Sequence, residues 1–249
     1  RQMCIRDSSS SGINVGTLTL GNGSNGGLAA NYTLTGHAAS SFQVAQRVLS
    51  SSGSRIYDGS TTASSSDLTL SNLVGSETLT LSGNGTLANA NVGTNKSVTL
   101  NTLSIADGSN GGLAANYILA GGTHQLSVTQ RVLNATGTRL YDASTNANSS
   151  DLSLGNLVGS ETLVLSGVGT VADKNVATNK TISVGTLSLG NGSSGGLAAN
   201  YTLSSGTHLL TINQKPVNIT GTRTYDATTT TLPTNLSIGG LVGGETLSL

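Results

Sequence analysis

The side chains able to do chemistry return in register along this sequence. Arg55, Tyr57 and Asp58 come back as Arg139, Tyr141 and Asp142, and again as Arg223, Tyr225 and Asp226. Glu77 returns as Glu161 and Glu245, Lys96 as Lys180, and the pair Asn116-Tyr117 as Asn200-Tyr201. Paired carboxylates and cations are the raw material of acid–base catalysis. An active site, however, is rarely built in identical serial copies. The expectation is therefore a repeated structural job: an Arg–Asp or Lys–Glu pair pinning a loop to a sheet. An exposed pair contributes only ~0–1 kcal/mol, a partly buried, hydrogen-bonded one more. The tyrosine of each Tyr-Asp is expected to plug the edge of a core, its hydroxyl bonded to backbone as in a tyrosine corner. A ligand-stacking platform is the alternative reading of the same ring.

Other candidates are weaker. Asp107-Gly-Ser-Asn-Gly-Gly112 has the alternating oxygens that calcium needs. The parallel copies Asn22–Gly27 and Asn191–Gly196 lack the aspartate, and one carboxylate does not make a cage. A Gly-rich hairpin turn is expected there. His37, His124 and His208 fall once per unit with no second His or Cys nearby, so a polar residue entering a strand is expected rather than a metal ligand. No cofactor is expected. Asn95-Lys-Ser97 and Asn179-Lys-Thr181 are glycosylation sequons, which a chain rich in Asn, Ser and Thr also produces by chance.

The elements that position these residues repeat too. Gly53-Ser-Arg-Ile-Tyr-Asp58 reappears at Gly137–Asp142 and Gly221–Asp226. The tyrosines keep a period of 84 (141 − 57 and 225 − 141). Such self-similarity sets the architecture. Residues 47–130 and 131–214 are complete repeats. Residues 12–46 match the second half of a repeat and 215–249 the first half, so a fragment of a longer array is expected. Residues 1–11 hold the only Cys (Cys4) and the only Met and match no repeat. They are expected to be a non-native or linker end.

Within a repeat, period-2 alternation marks short strands. These are 47–51, 55–57, 67–73, 77–82, 85–88, 96–105, 116–119 and 125–129, with Lys96 to Ile105 the longest run. Gly/Asn/Ser clusters supply the turns. No ten-residue segment has helical period, though Leu113-Ala-Ala115 suits one turn. The expected fold class is all-β: tandem small immunoglobulin-like sandwiches, one per period of 84. A β-grasp-like unit or a parallel β-helix is the alternative, the last lacking its rung period.

Composition narrows the function. Only 9% of residues are charged, 3% are aromatic, and formal net charge is zero. With no basic run, nucleic acid is not an expected partner. A helix crosses a bilayer with about 20 consecutive apolar residues. No run here approaches that, so no membrane-spanning segment is expected. The repeats are free of cysteine, which suits a chain threaded unfolded through export pores.

Tyr57-Asp-Gly59, Leu73-Val-Gly-Ser-Glu-Thr-Leu79, Asn91-Val-Gly-Thr-Asn-Lys96 and Leu113-Ala-Ala-Asn-Tyr117 together resemble the YDG-type repeat of filamentous-haemagglutinin-like bacterial exoproteins. The resemblance covers residues 12–249. It departs where Gly59 becomes Ala143 and Ala227, and Gly93 becomes Ala177. What it implies is a stalk or spacer region of a secreted or cell-surface adhesin, without catalysis. Its partners would be neighbouring repeats of the same chain. A repeated low-affinity module for glycan or another host surface, acting by avidity, is the alternative.

Overall fold

In the computed structural model, residues 17–34 and 44–249 are described. The expectations for residues 1–11, for Cys4 and for His37 lie outside them. The chain is all-β, and the helices among the described residues are single 3-10 turns. It divides into two compact units. One comprises Arg1–Arg55, Thr61–Asn89 and Gly93–Ser127. The other comprises Ile56–Ser60, Ala90–Val92 and Val128–Leu249.

Each complete repeat carries ten strands, more than the runs marked by alternation. In the second unit four of them form one sheet, in the order Leu152–Gly155, Asn134–Leu140, His208–Asn213, Ala177–Thr181. The central pair is parallel, Ala135 facing His208 and Leu140 facing Asn213. The outer pairs are antiparallel. Parallel neighbours cannot be joined by a tight hairpin. The chain therefore leaves Leu140, builds small antiparallel pairings, and returns at His208. Those pairings include Asn146–Asn148 with Val168–Thr170, and Leu163–Ser166 with Ser188–Asn191. The first repeat has the same strand order: Leu68–Ser71, Ser50–Ile56, His124–Thr129, Gly93–Ser97.

Alternation fills the core as period 2 requires. His208, Leu210 and Ile212 point inward from one central strand, and Ala135 and Arg139 from the other. Leu133, Leu210 and Ala147 are fully shielded. Each buried Leu or Ile contributes about 1.5–3 kcal/mol, and together they offset a chain rich in Gly, Ser and Thr.

The long run expected from Lys96 to Ile105 is in fact two strands, Gly93–Ser97 and Ser104–Asp107. A turn closed by Leu103 N–H to Leu100 C=O (2.7 Å) separates them. Asn101 at φ 43° makes that turn, and Gly185 at φ 57° does so one repeat later. A left-handed residue breaks a pattern that alternation alone reads as continuous. Thr62–Ser64, which pairs with Asn84–Thr86, escapes sequence reading because three residues show no usable period. The single turn expected at Leu113–Ala115 is the 3-10 turn Ala114–Asn116.

The first residue of the recurrent motif is required by close approach. A Cβ on Gly137 would stand 1.8 Å from the Asp151 carbonyl oxygen, and one on Gly53 would stand 1.7 Å from that of Asp67. Both collisions are with backbone, which cannot swing away. Gly137→Ala should cost about 1–3 kcal/mol through overpacking, seen as a lowered midpoint in urea denaturation followed by circular dichroism. An unchanged midpoint would mean that the two segments are not held at this distance.

Candidate functional site: a carboxylate shared by two tyrosines

Arg139 enters from a central strand with its guanidinium buried, 9% of the residue exposed. Nη1 bonds Asp142 Oδ1, and Nη2 donates to the Ser144 carbonyl at 2.5 Å. Asp142 Oδ1 also accepts the Ser144 N–H at 2.9 Å. The expected Arg–Asp clasp is thus present, and it shapes the turn after Tyr141. Arg223 and Asp226 repeat it at 2.9 Å. There the carboxyl of Asp226 is held below its usual range, first by the Thr228 backbone N–H. Asp58 makes the same aspartate turn, accepting the Ser60 N–H at 2.9 Å. Arg55 lies in the matching strand, Ser50–Ile56, half-buried.

The residue after the aspartate is left-handed in all three copies: Gly59 at φ 76°, Ala143 at 63° and Ala227 at 59°. Alanine is accepted there, but at a conformational cost.

The recurring lysines bond their own loops, and the Lys–Glu pair seen among the described residues, Lys174–Glu245 at 3.0 Å, comes from a lysine that does not recur. Lys180 Nζ bonds Asp173 Oδ1 at 2.5 Å and the Asn175 carbonyl at 3.0 Å. Lys96 bonds the Asn89 carbonyl and side-chain oxygen, each at 2.8 Å. Each lysine closes its own loop. Burial pushes the Lys96 ammonium below its usual range, and the Lys180 bond pulls the Asp173 carboxyl down. The recurring glutamates are engaged by tyrosines.

Glu161 takes two of them. Tyr57 donates to Oε1 and Tyr201 to Oε2, both at 2.6 Å. The rings meet edge to face, centroids 5.4 Å apart and planes at 78°. Tyr57 is 3% exposed and Tyr201 2%. Tyr201 Oη also accepts the Val158 N–H at 3.1 Å. The hydroxyl of the Tyr-Asp tyrosine thus bonds a carboxylate and not the expected backbone. Tyr141 donates to Glu245 in the same way. Tyr117 donates to Glu77 Oε2 and accepts the Val74 N–H. Tyr225 stands 90% exposed.

The asparagine beside the second tyrosine completes the joint. Asn200, 1% exposed, accepts the Val92 N–H at 2.9 Å and donates to Asn91 Oδ1 at 3.0 Å. Gln130 grips the same turn, donating to the carbonyls of Ala199 (3.1 Å) and Tyr201 (3.0 Å). Asn116 has no such neighbour: its buried Oδ1 accepts no hydrogen bond among the described residues.

The remaining candidates resolve as structure. Asp107 Oδ1 accepts the Ala114 N–H at 2.7 Å, as Asn22 and Asn191 do for Ala29 and Ala198. A cap needs only one oxygen acceptor, so Asp and Asn interchange. His208 is buried; its Nδ1 takes the Ala135 N–H and its Nε2 faces the Leu203 carbonyl. This fixes the Nε2–H tautomer. His124 bridges Ser51 and Leu119 likewise. Among the described residues no cluster of three His, Cys, Asp or Glu could hold a metal. Among them, too, no helix is long and apolar enough to cross a membrane.

All-β repeats clasped by an Arg–Asp turn and a Glu–Tyr joint define a tandem-repeat protein. The YDG domain matches residues 44–126 and 124–208, more than half of the chain, and the chain belongs to that family. No curated protein and no solved structure matches it.

Tyr201→Phe removes a charge-assisted bond and strands the Val158 N–H, so unfolding free energy should fall by about 1.5–3 kcal/mol in chemical denaturation. Ala143→Gly should raise it by roughly 0.5–1 kcal/mol by relieving the left-handed alanine. A pH effect is expected as well. Burial, then the bond to Glu161, raises the Tyr57 hydroxyl from 10.0 to about 12. The folded state thus keeps a proton that the unfolded state loses. Stability from this group is whole below pH 10 and is lost as pH rises towards about 12. Tyr57→Phe should flatten that alkaline decline, read from denaturation midpoints across the range.

Proposed function

We propose that this chain is a spacer region of a large secreted or cell-surface bacterial exoprotein of the filamentous-haemagglutinin-like kind. Its work is mechanical: serial units hold a distal region away from the surface. The observation that carries this reading is the joint at Glu161. Its carboxylate is satisfied by Tyr57 from residues 47–130 and by Tyr201 from residues 131–214. Arg139, Asp142, Glu161, Tyr57, Tyr117 and Tyr201 are spent on holding the chain to itself. Burial of Tyr57, Tyr117 and Tyr201 removes those rings as platforms for a glycan, so the avidity reading has less support. We assign the chain no reaction and no cofactor.

For the unit itself, the sheet order supports the β-grasp-like alternative over the immunoglobulin-like sandwich. A parallel pair at the centre, the second and the last strand of the repeat, flanked by antiparallel neighbours, is a mixed sheet. An immunoglobulin-type sandwich uses antiparallel sheets throughout.

Pulling single molecules by their ends tests the spacer reading. Each complete repeat should release roughly 28–30 nm of extended chain, in evenly spaced steps. Tyr57→Phe should lower the force of the step assigned to the second unit. A featureless extension at low force would sink the proposal.

A further inference from the structure

The chain enters the second repeat along residues 131–140 and leaves it along His208–Asn213, and the two runs lie side by side. Arg131 and Val132 first pair in parallel with Tyr201 and Thr202, and Leu133 N–H donates to the Thr202 carbonyl at 2.9 Å. Ala135 N–H then donates to His208 Nδ1 at 3.0 Å. Six partners follow in unbroken parallel register, Ala135 with His208 through Leu140 with Asn213. Tyr141 N–H adds a bond to the Asn213 carbonyl at 2.8 Å. From residue 131 to residue 141 the entering run is thus tied to the part of the repeat that leaves. The first repeat carries the same ties. Leu49 N–H donates to the Ile118 carbonyl at 2.9 Å, Ser51 Oγ bonds His124 Nδ1 at 2.9 Å, and Tyr57 N–H donates to the Thr129 carbonyl at 2.8 Å.

Tension along the chain pulls Arg131 and Gln214 apart. Because the central strands are parallel, those two points act on opposite ends of the pair. The strands are driven to slide lengthwise, and the evenly spaced bonds of a parallel ladder are all loaded at once. A pair pulled from the same end would instead open one bond at a time. The small antiparallel pairings, such as Leu163–Ser166 with Ser188–Asn191, lie in sequence between the two central strands. Force passes directly from one central strand to the other, so these pairings take up tension only after the central pair has given way.

We infer that the central parallel pair is the load-bearing element of each repeat, a shear clamp that carries tension from the entering strand to the leaving one and shields residues 141–207. This rests on the spacer reading and adds where in the repeat the force goes. His208 is part of the clamp, since its buried ring ties the leaving strand to the entering one from inside the core. Resistance to pulling is set by the height of the unfolding barrier and not by equilibrium stability. The two properties therefore belong to different residues: the clamp sets the force, while the shielded pairings contribute to stability alone.

Two pairs of cysteine handles on the second repeat of the full chain, in a Cys4→Ser background, test this by single-molecule pulling. Val132→Cys with Gln214→Cys loads the pair lengthwise. Thr136→Cys with Thr207→Cys loads it sideways, from the starts of both strands. All four positions are exposed. The lengthwise pull should need roughly two-fold or more the force of the sideways pull. The released length identifies each event: 82 residues (214 − 132) against 71 (207 − 136), or roughly 27–30 nm against 23–26 nm. Leu165→Ala, in the shielded part, should lower the urea midpoint and leave the lengthwise force unchanged. Equal forces in the two directions would overturn the inference, as would a lengthwise force that falls with Leu165→Ala. In either case evenly spaced steps from the chain pulled by its ends would leave the spacer reading standing. A featureless extension at low force would remove both.

Discussion

A half-buried carboxylate with two tyrosine hydroxyls on it organises this protein. A carboxylate has two oxygens and cannot be left dry without donors on both. Glu161 meets that demand with one hydroxyl from 104 residues earlier and another from 40 residues later. Neither donor is charged, so the joint holds without a cation and sits beside the apolar residues of a small core. At Glu245 a lysine joins Tyr141: Lys174 bonds the carboxylate and lies 5.9 Å from the Tyr141 ring centre. The corresponding position one repeat earlier is Ala90, which leaves the two hydroxyls to do the work alone.

That demand explains the motif letter by letter. Gly137 lets its strand pass against the Asp151 carbonyl. Arg139 points inward and clasps Asp142, which fixes the turn. The turn, with its left-handed residue, aims Tyr141 out of its own sheet towards Glu245. The sequence Leu-Ala-Ala-Asn-Tyr supplies the other half. Its 3-10 turn presents Asn200 to a neighbouring loop and Tyr201 to the carboxylate. A chain with so few charges and aromatics brings Tyr57, Tyr201 and Glu161 together here.

Much of the candidate site is legible in the sequence, though not its wiring. The periodic return of Arg, Tyr, Asp, Glu and Lys identifies the residues that matter, and the Arg139–Asp142 clasp lies within three residues, where local reading works. Lys96 and Lys180 bond acceptors five to seven residues away in their own loops, a choice that charge complementarity with the recurring glutamates does not reveal. A backbone partner for the tyrosine hydroxyl fails because the true acceptor of Tyr57 lies more than a whole repeat away. His124 and His208 do stand at strand entries, but that each bridges two segments through its ring nitrogens depends on neighbours 73 residues distant.

The sequence by itself determined that the chain is all-β, that its repeat has a period of 84, where its Gly- and Asn-rich turns lie, the turn at Asn101 excepted, and which side chains recur. These are local or periodic properties, written in alternation, in Gly and Asn, and in spacing. Tertiary structure alone decided that the second and last strands of a repeat run parallel at the centre of the sheet, and that Tyr57 is buried in the unit containing Glu161. Such choices are made by long-range pairing, where the free energy of a hydrogen bond or a packed ring is set by what arrives from elsewhere in the chain.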